Sequence, residues 1–308
     1  MRASSSLSMS ILAIPATVVN ATALQLSIHN PPHPADRRDS SAFADPRDGG
    51  GRWLDLVPDS GGQGEPLNVV IAATSDAAVL VEQQNDGGLI NYFQSIGFAN
   101  ECLGQHEGSH QQANLGDGNG YLNESAVIRW DYGDAVLGTC KESIEGGNHF
   151  RYWIQNGDKA NTGAVFLAAS YEMPATESHN VIKNGYNLGR DWLVGNATAQ
   201  SSTIPTLNVT NQTSYSGQTT MNGYVYQTSV QYTSGLLANS SDQVNHRDTV
   251  ALSGLPAVDG LVAVMEVRIL QKPASTSTSG APARWTARTL TSLPCLLLLA
   301  LTVAASSL

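Results

Sequence analysis

The sequence predicts an α+β fold: a single domain with a mainly antiparallel sheet and one or two helices packed on it. Three observations predict it. Several runs of four to ten residues are either continuously apolar or alternate apolar with polar, as strands buried on two faces or one do. One segment, 89–96, repeats its apolar residues at helical spacing. Turn pairs such as Asn156-Gly157 and Asp117-Gly118 punctuate the runs at hairpin distances.

The elements follow in chain order. "RWLDLVP", from Arg52, reads as a short strand. "LNVVIAA", residues 67–73, is β-branched and apolar and predicts the most buried strand. Leu89, Ile90, Tyr92, Phe93 and Ile96 then mark a helix, with Gly97 placed to end it. Strands are predicted over 126–132, over "HFRYWIQ" from His149, and over 163–172, 224–232 and 261–270. The Ser/Thr/Asn-rich stretch 198–222 reads as a long glycosylated loop. Residues 52–271 are enough for one domain with a real core.

The flanks predict an address. Arg2, an apolar run from Leu7 to Val19 and the small residues at 21–23 follow the order of a secretory signal peptide, residues 1–23. Residues 24–51, rich in Pro, Asp, Arg, Ser and Gly, read as a disordered leader. At the other end, residues 272–279 form a Ser/Thr stalk, and 280–308 read as a GPI-attachment signal that processing removes. Ser279 is the chosen attachment residue, with Ser275 and Ser277 as alternatives. The terminal apolar run from Leu293 is shorter than the roughly 20 residues a spanning helix needs.

The remaining chemistry agrees with that route. Asn123, Asn196, Asn208, Asn211 and Asn239 each begin an N-x-[ST] sequon. Of three cysteines, Cys295 lies in the removed tail, leaving Cys102 and Cys140 to pair. The formal charge is −10, and trimming both ends removes three arginines and no acid, giving −13. That disfavours nucleic acid as a partner. It suits a protein of the outer plasma membrane or cell wall, held by a lipid anchor and meeting wall components or a small anionic ligand.

Three clusters could carry chemistry. His106 and His110 are four residues apart, but Gly104 and Gly108 argue against a helix and no third ligand stands at a telling spacing. A polar loop beside Cys102 is the better reading, so no metal or cofactor is expected. Asp117, Asn119 and Tyr121 imitate the start of a calcium loop, but Leu122 occupies the glycine position, so a hairpin turn is expected. The third cluster joins His149 and Arg151 to His179, Arg190 and Asp191.

The order "PLNVVIAATS", "YFQSIGF", "HFRYW", "GAVFLAAS", "SHNVI", "GRDWLVG" resembles the LssY C-terminal domain over about residues 66–195. That domain often follows membrane phosphatase-type segments in bacteria. The resemblance carries over His149, Arg151, Trp153, His179, Arg190 and Asp191. The chain departs from it in its "VEQQNDGG" insertion, its cysteine pair and its sequons, and it lacks a multispan region. Over its whole length it resembles secreted fungal proteins without an assigned activity.

Two functions follow as expectations. One is a GPI-anchored, N-glycosylated surface protein with a non-catalytic binding or structural role. The other is a hydrolase of phosphoesters or other anionic esters. In it the arginines would grip the anion, His149 and His179 would move protons, and Asp191 would orient a histidine. Convergence of the five side chains in one open pocket separates the two.

Overall fold

The structure is a computed structural model that describes residues 41–200 and 203–274. The segments expected to be a signal peptide and an attachment signal, with Ser275, Ser277 and Ser279, and Cys295 lie outside the described residues.

The fold is α+β, dominated by a large, mostly antiparallel sheet. Its strands are β1 (Val69–Ile71), β2 (Phe98–Asn100), β5 (Ala126–Trp130), β6 (Asn148–Ile154), β7 (Val165–Tyr171), β8 (Ser214–Met221), β9 (Tyr224–Thr233) and β10 (Val262–Gln271). They lie in the order β2-β5-β6-β7-β1-β10-β9-β8. Strands β3 (Gln112–Asn114) and β4 (Tyr121–Asn123) form a separate hairpin. Among the described residues four helices join them: α1 (Leu89–Ser95), α2 (Gly138–Glu145), α3 (Gly185–Ala197) and the single turn α4 (Arg247–Val250).

The apolar run at 67–73 becomes the middle of the sheet because it can be buried on both faces. Val69 and Ile71 point into one core with Phe93, Phe150, Tyr152 and Leu167. Val70 points into the other with Trp53, Phe166, Ala168 and Val244. β1 pairs antiparallel with β7 and parallel with β10, so residues far apart in sequence close the sheet around it.

Helices α1 and α3 cover the first face. α3 can lie against β7 because residue 189 is glycine. A Cβ there would stand 2.5 Å from the carbonyl carbon of Ser170. The "RWLDLVP" segment pairs only through isolated bridges, Leu54 to Pro66 and Leu56 to Gln112.

Two expectations change. The leader expected to run to residue 51 is folded from residue 41. Phe43 stacks edge-on against Trp53 and Phe166, and the Gln155 side chain both donates to and accepts from Ala44. One aromatic side chain with a waiting slot outweighs a polar composition.

The stretch 198–222 contains strand β8, the sheet's edge, rather than a loop alone. Its Ser and Thr residues suit an edge that faces water, and Asn222-Gly223, both at positive φ, turn it into β9. No described helix is long and apolar enough to cross a membrane.

One buried ion knot ties α3 to the sheet. Arg190 donates to Asp191 Oδ1 at 2.7 Å, to Asp259 Oδ1 and Oδ2 at 2.7 and 2.8 Å, and to the Leu261 carbonyl at 2.9 Å. Tyr232 on β9 donates to Asp191 at 2.7 Å. Burial opposes the charge on Arg190, and the two carboxylates outweigh it, holding its pKa above the usual value.

Replacing Arg190 with Met would leave Asp191 buried without its counter-ion. Chemical denaturation of R190M is expected to give a loss of about 3–5 kcal/mol. D259N should lose less, because Asp259 is partly exposed.

Candidate functional site

Period two in β5 and β6 puts Arg129, His149 and Arg151 on one face of the sheet, the face that carries Phe166 and Ala168. That face is covered. Segment 101–125 and α2 close over it, and the disulfide from Cys102 to Cys140 staples the two covers together. The hairpin β3–β4 belongs to the cover. Its loop is organised by Asp117, which accepts from the amides of Asn119, Asn156 and Gly157 as a turn does.

Carboxylates come in from the covering elements to meet the cations. Arg129 donates to Glu142 Oε2 on α2 at 2.8 Å and to Glu101 Oε1 at 3.4 Å. Arg151 Nε stands 3.6 Å from Glu124 Oε1. His149 is 1 % exposed, with Nδ1 3.9 Å from Glu142 Oε1 and Nε2 3.6 Å from Glu172 Oε1. His179 Nδ1 lies 3.5 Å from the other oxygen of Glu172. Asp55 and Glu65 add two more buried acids behind Arg151.

The protonation states follow from burial first and neighbours second. Burial pushes His149 down to about 3, against the pull of Glu172, so it is neutral at neutral pH. Burial pushes Glu142 up to about 7, although Arg129 draws it the other way. Burial would raise Glu172 too, but His149, His179 and the two guanidinium groups outweigh it and hold it near 2. With His149 neutral, His179 and the arginines supply that hold. The Glu172 hydrogen bond raises His179 in turn.

The five residues proposed for a hydrolytic site are thus divided. His149, Arg151 and His179 share the carboxylate belt. Arg190 and Asp191 belong to the separate knot with Asp259 and Tyr232. Of the five, only His179 reaches solvent appreciably, its side chain 36 % exposed. The remaining four are enclosed by their counter-ions.

Sequence reasoning missed the acids. Glu172 was readable: it continues the alternation Phe166, Ala168, Ser170 one step past β7. Glu142 follows Cys140 by two residues on α2, so the predicted disulfide to Cys102 also brings it beside Glu101. Glu124 has no local signal.

Where segment 101–125 meets the sheet, the belt opens into a cleft of 630 Å3 lined by Glu82, Glu101, His106, His110, Glu124 and Tyr152. Among the described residues, two groups bring three possible metal-ligand atoms within 4.8 Å of one another. One is His106, His110 and Glu124; the other is Glu142, His149 and Glu172. The third carboxylate or imidazole absent from the local spacing around His106 comes from Glu124, between β4 and β5.

No family model, curated protein or solved structure matches the chain.

The sequons divide as well. Asn123, Asn208, Asn211 and Asn239 are exposed. Asn196 lies in α3 with its Nδ2 buried and unpartnered, where a glycan would have to displace the packing around it.

Two buried groups titrate in opposite senses, which gives a signed test. His149 takes a proton in the unfolded chain below pH 6.5 that the folded chain refuses down to about 3, so it makes stability fall as pH drops through that window. Glu142 holds a proton in the fold from its ordinary 4.5 up to about 7, so it makes stability fall as pH rises through that window. Between pH 5 and 6, H149Q is expected to make the slope of stability against pH more negative than in the wild type. E142Q should make it more positive. Each change is roughly 1.4 kcal/mol per pH unit, read by denaturant titration.

Proposed function

We propose that the chain is a GPI-anchored, N-glycosylated protein of the outer cell surface whose described residues form one domain with a non-catalytic role in binding or surface structure. The observation that carries the non-catalytic role is the division of the five candidate residues. A hydrolytic site needs its acid, base and anion grip around one open space. Here Arg190 and Asp191 stand in one sealed knot, and His149 and Arg151 are buried apart from them in the carboxylate belt.

The arginines also bear on the partner. Arg190 spends its guanidinium on two carboxylates, and Arg151 and Arg129 face Glu124, Glu101 and Glu142. An anionic ligand would meet an acidic cleft in front of an Arg151 that is buried beside Glu124. Neutral wall components fit the surface better than a small anion. The resemblance to the LssY C-terminal domain adds no activity to this reading.

The address is supported by the flanking segments and by the surface. The outer edge strand β8 is polar, and Asn208 and Asn211 stand just before it. Glycans there would guard an edge that would otherwise offer unpaired backbone groups to another strand.

Phosphatidylinositol-specific phospholipase C is expected to release the protein from intact cells, and retention in the membrane after treatment would count against the anchor. Peptide mapping of the released protein should find glycans at Asn123, Asn208, Asn211 and Asn239 and an unmodified Asn196. Turnover of an aryl phosphate or aryl ester by the wild type, lost in H179A, would overturn the non-catalytic role.

A further inference from the structure

We propose that the cleft beside the disulfide is a site for one divalent transition-metal ion, held by His106 Nε2, His110 Nδ1 and Glu124 Oε1. This goes beyond the surface role above and stands whether or not the chain is anchored.

The argument begins behind the ligands. His106 Nδ1 lies 2.8 Å from Glu101 Oε2. That hydrogen bond puts the ring proton on Nδ1 and leaves the Nε2 lone pair facing the cleft, 3.8 Å from Glu124 Oε1. Metal-binding histidines are held in this way, their far nitrogen donating to a carboxylate. Glu101 is itself held, by Arg129 and by the Glu107 amide.

Glu124 is prepared similarly. Its Oε2 accepts from the Gln111 amide at 2.8 Å, which leaves Oε1 for the cleft. His110 Nδ1 stands 3.4 Å from that oxygen. A tetrahedral ion with bonds near 2.1 Å needs its ligands roughly 3.4 Å apart. The three atoms are within 4.8 Å of one another, so closure takes about an ångström.

The histidine rings are stacked, 4.2 Å between centroids and 10° between planes. Parallel rings cannot both aim a lone pair at one ion, so binding turns one of them. His110, its side chain 56 % exposed, is free to turn. Its segment is anchored by Cys102 four residues before His106.

Arg151 Nε also lies 3.6 Å from Glu124 Oε1 and would repel an ion. Glu65, buried close behind Arg151, answers that charge, and Glu82 and Glu101 line the cleft in front of it.

Two imidazoles and one carboxylate select zinc, copper or nickel over calcium and magnesium, which prefer oxygen alone. Three protein ligands leave a fourth position open to the cleft, for water or an incoming donor. The second group, Glu142, His149 and Glu172, is weaker. Its two carboxylates face opposite nitrogens of His149, and Arg129 already holds Glu142.

The test is calorimetric titration of Zn2+ into the full chain after chelator treatment, with Co2+ absorption as a second readout of nitrogen ligation. One ion per chain is expected. H110A and E124Q should each weaken binding by roughly tenfold or more, and E101Q by about 10–100-fold although it supplies no ligand. The thermal transition of each variant checks its fold, and H110A, at an exposed position, decides the matter if a buried variant unfolds. Sub-stoichiometric binding, or affinity unchanged in H110A or in E101Q, would overturn the proposal.

Discussion

Arg129, His149 and Arg151 stand on a sheet face that water barely reaches, and most of the structure above that face exists to answer them. A charged group loses more by leaving water than a sheet can return through packing alone, so the two arginines need carboxylates close by, while His149 stays neutral. The carboxylates come from four separate places: the segment after β2, the turn before β5, helix α2 and the residue after β7. Bringing four carboxylates to one face constrains all four segments at once. The disulfide holds two of them in place: in the loop-entropy model, closing 38 residues contributes about 4 kcal/mol.

The second ion knot solves the same problem with less. Arg190 meets two aspartates, a carbonyl and a tyrosine ring whose centroid lies 5.2 Å away: Asp191 beside it on α3, Asp259 and Leu261 just before β10, and Tyr232 on β9. The knot is complete, with every guanidinium nitrogen engaged. The belt is not. Glu142 Oε1, His149 Nδ1 and Arg151 Nε are buried without hydrogen-bond partners among the described residues. A closed network locks elements together, whereas one with spare donors and acceptors near a cleft has capacity left for something else.

Much of the sheet was legible, and for a local reason. β1, β5, β6, β7, β9 and β10 each announce themselves by a side-chain period that depends only on neighbours along the chain. β8 was missed because a strand at a wet edge needs no apolar alternation, and its polar composition imitates a loop. Phe43 was missed because a lone aromatic in a polar stretch gives no sign of the slot between Trp53 and Phe166 that receives it. Arg190-Asp191 stands out in sequence as a candidate site. In three dimensions the pair is turned inward on Asp259, almost seventy residues on.

By itself the sequence determined the α+β class, the Cys102–Cys140 pairing and which face of β6 each of His149, Arg151 and Trp153 would take. These depend on composition, on a count of thiols and on alternation, all of which are local or additive. Only the tertiary structure decided what those side chains would meet. His149 and His179 share Glu172, Arg190 and Asp191 stand apart from them, and Glu124 joins His106 and His110 from fourteen residues beyond the nearer of the two. A strand's alternation says that a side chain leaves the sheet; which carboxylate waits above it depends on how the covering loops close, and loop closure leaves no period in the sequence.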